Sequence, residues 1–232
     1  MKREKEKPYA KQFQEVFRDL CYSRNYGQVW ADFVTMSACA ISNAADKAMF
    51  DQREALYMRT IQGYTKDELE SMAELVALTA LALEENPEQD FLGTIYFELS
   101  LLNKHLGQVF TPYHIAKLMA EISFENIAAH IDEKGFASVY DPTCGSGVML
   151  IAAANVAREK GINYQRSMVF VGQDIDFTVA MMAYIQLTLL GCAGYVGVGN
   201  TLTEPLPSRE NIWYMPMNRI HRKLWEGFCH SK

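Results

Sequence analysis

The chain has 232 residues, 49% of them apolar and 12% aromatic, with a formal net charge of −6. This is enough for one large domain or two small ones with a real core. It excludes a disordered chain and speaks against a free-standing nucleic-acid binder, whose surface is usually basic, though a partner chain can supply a basic groove. Five scattered cysteines (Cys21, Cys39, Cys144, Cys192, Cys229) form no CxxC pair, which gives no metal signature and suits a reducing, cytoplasmic setting. No apolar run reaches the roughly 18–20 residues of a membrane span, and the opening MKREKEKPYAK lacks the apolar core of a signal peptide.

The first hundred residues carry helical periodicity. Phe13, Val16, Phe17 and Leu20 recur at i, i+3, i+4, i+7. A second apolar stretch runs from Val29 to Ile41. Thr65 and Glu68 form a capping-box pattern that opens a helix to about Glu85, and Asn86-Pro87 stops it. Asp90 caps a further helix, with Leu92, Ile95, Tyr96, Leu99 and Leu102 turned inward and an end before Gly107. No strand alternation interrupts this, so residues 1–106 read as a helical domain and residues 107–232 as a second domain.

After Gly107 the pattern changes. Thr111-Pro112 is a helix start, Thr as N-cap and Pro at the first helical position, with Ile115, Leu118, Met119 and Ile122 as the buried face. Two strand–helix units follow. Ala137–Tyr140 is a short strand, DPTCGSG (141–147) a turn, and Gly147 to Lys160 a helix closed by Gly161. Met168–Gly172 is a second strand; after QDID, an almost wholly apolar helix runs from Phe177 to Leu190, capped by Asp176. A helix apolar on every side is buried on every side. Tyr195–Val198 is a third strand. The fold class is α/β: alternating strands and helices imply a parallel sheet with right-handed crossovers.

In such sheets ligands bind beyond the carboxyl ends of the strands. Asp141–Gly147, Gln173–Asp176 and Gly199-Asn200 all fall there. Gly145 and Gly147 permit a tight turn and close approach of a ligand. An acid after the second strand, here Asp174, is the usual partner of ribose hydroxyls. A dinucleotide fingerprint would need a third glycine where Leu150 stands, and the acid opening the turn would repel a pyrophosphate. A cationic nucleoside such as S-adenosylmethionine suits it: Asp141 near the ammonium, Asp174 on the ribose. Each residue has a plainer reading as well. Asp141 can be a turn former, Asp174 and Asp176 helix caps, Asn200 a turn residue, and Cys144 structural, since no histidine is placed to activate it.

At this point the chain resembles the N6-adenine DNA methyltransferases, in particular the modification subunits of type I restriction–modification systems. DFLGTIYFELS (90–100), GQVFTP (107–112), DPTCGSG (141–147) and GQDID (172–176) carry the resemblance, over roughly residues 88–205. It implies a helical N-terminal domain followed by an S-adenosylmethionine-dependent, Rossmann-like parallel sheet, and adenine-N6 methylation of DNA. Phe110, Thr111 and Pro112 would lie beside the methionine part of the cofactor. The turn, with Asp141, Pro142, Cys144, Gly145 and Gly147, would hold its amino-acid portion. Asp174 would bind the ribose, Ile175 would pack on the adenine, and Asn200 would face the exocyclic amine. No metal is implied.

The family's chemistry also needs Asn/Asp-Pro-Pro-aromatic after a fourth strand, to accept from the target amine and stack on a flipped adenine. No two prolines are adjacent in this sequence. The nearest slot is Tyr214-Met215-Pro216-Met217, if Ile212-Trp213 ends a fourth strand. The sheet is therefore expected to be incomplete at its C-terminus and its catalytic group unknown, with DNA reached through a partner chain. The tail RIHRKLWEGFCHSK is expected to touch phosphates or to pack at the sheet edge. A dimer, a partner chain or the C-terminal segment is expected to cover the open edge. The runner-up reading is a cofactor-binding homologue without catalysis.

Overall fold

The structure, a computed structural model, describes residues 8–101 and 111–230. Leu102 and Gly107–Phe110, and the expectations placed on them, lie outside the described residues.

The helical part begins with α1 (Tyr9–Leu20), whose Phe13, Phe17 and Leu20 are buried as the periodicity demands. Next come α2 (Tyr26–Ala45), capped by Asn25, and α3 (Phe50–Ile61). The expected capping box opens α4 (Lys66–Glu85), with the Thr65 and Glu68 side chains each bonding the other's backbone N–H. α5 (Phe91–Glu98) starts on the Asp90 cap but ends earlier than its apolar spacing suggests. Ser100 turns left-handed at φ 57°, and Leu101 N–H returns to the Tyr96 carbonyl (3.1 Å), a Schellman-type closure made without glycine.

α6 (Tyr113–Ser123) departs from its expected orientation. Pro112, with φ −59° and ψ 139°, occupies the cap position, and Thr111 makes no side-chain cap. Ile115, Leu118, Met119 and Ile122 are 41–70% exposed, while Ala116 and Ala120 are buried. α6 packs on α8 (Val148–Glu159), whose facing surface is rich in alanine. Two helices meeting through small residues approach closely, so the small stripe outcompetes the larger apolar one. A short α7 (Ile127–Lys134) leads into the sheet.

β1 (Ala137–Asp141), β2 (Met168–Asp174) and β3 (Ala193–Val198) pair in parallel in the order 1-2-3. α8 connects β1 to the four-residue α9 (Tyr164–Ser167), and α10 (Phe177–Leu189) joins β2 to β3. β4 (Ile212–Tyr214) corrects the all-parallel expectation: it runs antiparallel to β3, on the outer side of the sheet. A parallel partner needs a crossover long enough to return, usually a helix. Residues 199–211 contain only turns and a 3-10 turn, Arg209–Asn211, so the chain folds straight back. Among the described residues β1 pairs only with β2, and its other side is a free edge.

After β4 come α11 (Met217–Ile220) and α12 (Arg222–His230). Asn218 holds this segment to β3, with its Oδ1 accepting from Gly194 N–H (2.6 Å) and its Nδ2 donating to Gly194 O (2.7 Å). The tail covers a face of the sheet, where its basic and aromatic residues had suggested a phosphate contact or an edge cover. Leu224 and Phe228 bury Val169, Val171, Ala193 and Tyr195.

One apolar cluster joins the helical part to α8, α10 and the opposite sheet face. Arg53, buried in α3, is a second tie. Its guanidinium donates to Asp46 (3.2 Å), Ser42 and the Ile212 carbonyl (2.6 Å), and lies 4.1 Å from the Trp213 ring centre. Asp46 keeps Arg209 as a second partner (2.8 Å). Arg53→Ala is therefore expected to destabilise the fold by about 2–4 kcal/mol, somewhat less than complete loss of a buried pair, measured as the shift of the urea unfolding midpoint.

Candidate functional site

The site is built from three turns at the carboxyl ends of β1, β2 and β3. The first is held from within and from the neighbouring strand. Thr143 N–H bonds the Asp141 Oδ1 (3.1 Å), an Asx-type turn, and Gly147 N–H bonds the Cys144 carbonyl (2.8 Å). Cys144 N–H reaches the Gln173 carbonyl (2.9 Å), and Gly145 N–H reaches Asp174 Oδ2 (2.8 Å). Gly145 and Gly147 are both left-handed, at φ 53° and 95°, which explains the residue type. For Gly147 the close approach is to protein rather than ligand. A Cβ there would stand 3.1 Å from the Ala183 Cβ of α10.

Asp174 joins the first and second turns, since its other oxygen accepts Asp176 N–H (2.9 Å). Asp176 caps α10 through Thr178 N–H (2.8 Å), as its position suggested. The third turn is fastened to the others. Thr201 Oγ1 donates to the Pro142 carbonyl (2.6 Å), and the buried Gln173 donates to the carbonyls of Glu204 (2.8 Å) and Gly199 (3.4 Å). Sequence reasoning gave Gln173 no role. Its only signal was its place beside Asp174 at the end of β2.

The expected residues divide into two sets. Asp141, Gly145 and Asp174 come together, with Ile175 beside them 60% exposed. Asn200 is exposed and spends one lone pair of its Oδ1 on Leu202 N–H (3.0 Å), making its own turn. Thr111 and Pro112 stand at the start of α6, and Phe110 is outside the described residues. Cys144 turns its side chain inward: its thiol is buried against Gly172 and Leu150, so it packs the turn and offers nothing to a ligand. Burial and the charges of Asp174 and Asp141 push that thiol well above the ordinary thiol range.

The slot Tyr214–Met217 is not at this site. β4 runs against β3, with Ile212 opposite Gly197 and Tyr214 opposite Tyr195. Each further residue moves toward the amino ends of the parallel strands, until Met215 N–H meets the Gly194 carbonyl (3.0 Å). Tyr214 itself packs on Tyr195 and Trp225.

Two carboxylates dominate the electrostatics. Burial raises the Asp141 carboxyl above the usual carboxylate range; the Thr143 N–H opposes this, and the Asp174 charge adds to it. Burial likewise raises Asp174, against the pull of the Asp176 and Gly145 N–H groups. Neither has an ion-pair partner among the described residues. The arrangement can bind a cation and hydroxyl donors together.

Parallel strands joined by helical crossovers, with their polar turns at one end, place the molecule in the α/β class. The model of the N-6 DNA Methylase family matches residues 88–224, more than half of the chain, which therefore belongs to that family. The chain is 27% identical over 115 residues to the type I restriction enzyme MjaVII methylase subunit of Methanocaldococcus jannaschii, covering 48% of this chain and 18% of that protein. With the MjaIX methylase subunit of the same organism it is 26% identical over 123 residues, 51% of this chain and 20% of the other. It thus spans about a fifth of the length of these curated relatives. A crystal structure of a type I restriction-modification system methyltransferase subunit from Streptococcus thermophilus aligns over 85% of this chain and 41% of that one, at 22% identity and a TM-score of 0.43.

Carboxylates raised by burial bind protons more tightly folded than unfolded. Their cost to stability is fully present above the folded-state pKa and is lost as pH falls below the unfolded value. Asp141→Asn keeps the acceptor for Thr143 N–H and removes the charge. At neutral pH, calorimetry should find the unliganded variant more stable than the parent by about 0.5–2 kcal/mol, as when function holds a destabilised group. The difference should shrink as pH falls through the carboxylate range.

Proposed function

We propose that this chain is the S-adenosylmethionine-binding part of an adenine-N6 DNA methyltransferase of the restriction–modification type. The observation that carries the reading is the pair of partly buried carboxylates with no counter-charge among the described residues. S-adenosylmethionine brings an ammonium, a sulfonium, a ribose diol and an adenine, which match them group for group. Asp141 would take the ammonium. Asp174 would accept from the ribose hydroxyls with the lone pairs its two backbone bonds leave free. Ile175 would lie on the adenine face, Asn200 would meet its exocyclic amine, and Phe110, Thr111 and Pro112 would flank the methionine part. Bound there, the cofactor supplies an electrophilic methyl group. The chain's own work is to bind and orient it.

The group that reads the target adenine is assigned to another strand. In a Rossmann-type sheet strand 1 lies between strands 2 and 4, and among the described residues β1 has its outer side free. A strand added there in parallel would end beside the first turn, where Tyr214–Met217 does not reach. With a net charge of −6, contact with DNA also falls to a partner. The reading as a cofactor-binding homologue without catalysis rests on the same slot lying at the wrong end of the sheet.

Titration calorimetry with S-adenosylmethionine tests the cofactor assignment. Asp174→Ala should weaken binding by about 1–3 kcal/mol, and affinity should fall as acidification protonates the two acids. Absence of binding to the parent chain at neutral pH would reject the assignment. Purified alone, the chain should transfer no labelled methyl group to DNA; incorporation by the chain alone would refute its need for a partner strand.

A further inference from the structure

We infer that Asp90, which reaches across from the helical part, is a positioning residue for the cofactor-binding turn, acting through Ser146 and Gln186. The inference rests on the cofactor reading above and concerns residues that have no role in it.

Asp90 is 6% exposed and has no ion-pair partner among the described residues. One oxygen accepts Gly93 N–H (2.9 Å), the cap of α5, and Gln186 Nε2 (2.8 Å); the other accepts the Ser146 hydroxyl. Gln186, buried in α10, uses its remaining amide proton on the Ser146 carbonyl (2.9 Å) and its oxygen on Leu92 N–H (3.0 Å). Ser146 is thus held at both its side chain and its carbonyl. It sits between Gly145, whose N–H meets Asp174, and the left-handed Gly147. Glycine turns are loose in themselves, because two residues without Cβ have many conformations to lose. Pinning the residue between them removes that freedom before a ligand arrives, and a preorganised site binds more tightly.

The space is made for this contact. A Cβ on Gly93 would lie 2.0 Å from Asp90 Oδ2 and 2.5 Å from Ser146 Oγ. Gly93 is therefore the residue that lets α5 approach the turn closely enough for its capping acid to serve two masters. A capping aspartate needs burial no more than it needs a serine from another element. Threonine at the start of α4, exposed and closed within its own helix, does the same capping without either.

The test compares Asp90→Ala and Ser146→Ala with Thr65→Ala, which removes a cap remote from the turn, all in the full chain. Amide hydrogen exchange over residues 143–150 and S-adenosylmethionine affinity are measured on each. Asp90→Ala and Ser146→Ala should speed exchange in the turn about tenfold, leave β2 protected, and weaken the cofactor about tenfold. Asp90→Asn, which still caps and can still bond Ser146, should restore part of both. Thr65→Ala should lower the melting temperature and change neither. If Asp90→Ala fails to fold, Ser146→Ala decides, since it removes only a hydroxyl. Exchange in the turn that stays at the parent rate, or loosens with no loss of affinity, overturns the inference. If the parent binds no cofactor, the cofactor reading falls, and the exchange result alone judges the positioning.

Discussion

The helix Phe177–Leu189 has no side that faces water, and the rest of the molecule is arranged around satisfying it. Nine consecutive residues, Val179 through Leu187, are buried. α2 covers one flank, β2 and β3 another, α5 and α8 the remainder. Removing a single large apolar side chain from such a position typically costs 2–5 kcal/mol, so no neighbour can be dispensed with. Burial also favours partners for the polar atoms on the helix, although the Thr188 hydroxyl has none among the described residues. Tyr184 donates to the Tyr214 carbonyl (3.3 Å), and Gln186 spends its whole amide on Asp90, Ser146 and Leu92. A solvation requirement thereby becomes a set of fixed distances between the helical part and the first turn.

Much of this was legible in the sequence, for reasons that are local. The capping box at Thr65, the apolar helix after Asp176, and the strands before DPTCGSG and QDID each follow from a few adjacent residues. What escaped depends on comparisons across the chain. The apolar stripe of α6 looked like its buried face, but an alanine surface elsewhere on the same helix met α8 more closely. The direction of β4 depended on a crossover helix that residues 199–211 do not form. Nothing local in the sequence singles out Arg53, and only the tertiary fold reveals Asp46, Ser42 and Trp213 around it.

The residues of the candidate site were legible by type and order: an acid closing each of two strands, with two glycines in the turn after the first. The division of labour among those residues was not. Gly147 answers to Ala183, Cys144 to Gly172, and Asp174 braces two turns before it meets any ligand. Carboxylates partly kept from water, with no counter-charge among the described residues, weaken the unliganded fold, a cost that the proposed cationic ligand would relieve.

The last helix lies far from this chemistry, yet it has its own importance. α12 touches the sheet through aromatic edges, Trp225 against Tyr195 and Tyr214, Phe228 against Phe136. Beneath it are Val169, Val171, Ala193 and Tyr195. Stripped of those nine residues, the strands would present a continuous greasy plane next to an unpaired margin, a combination that drives chains to clump. A short helix remote from the candidate site thus keeps this sheet face from water.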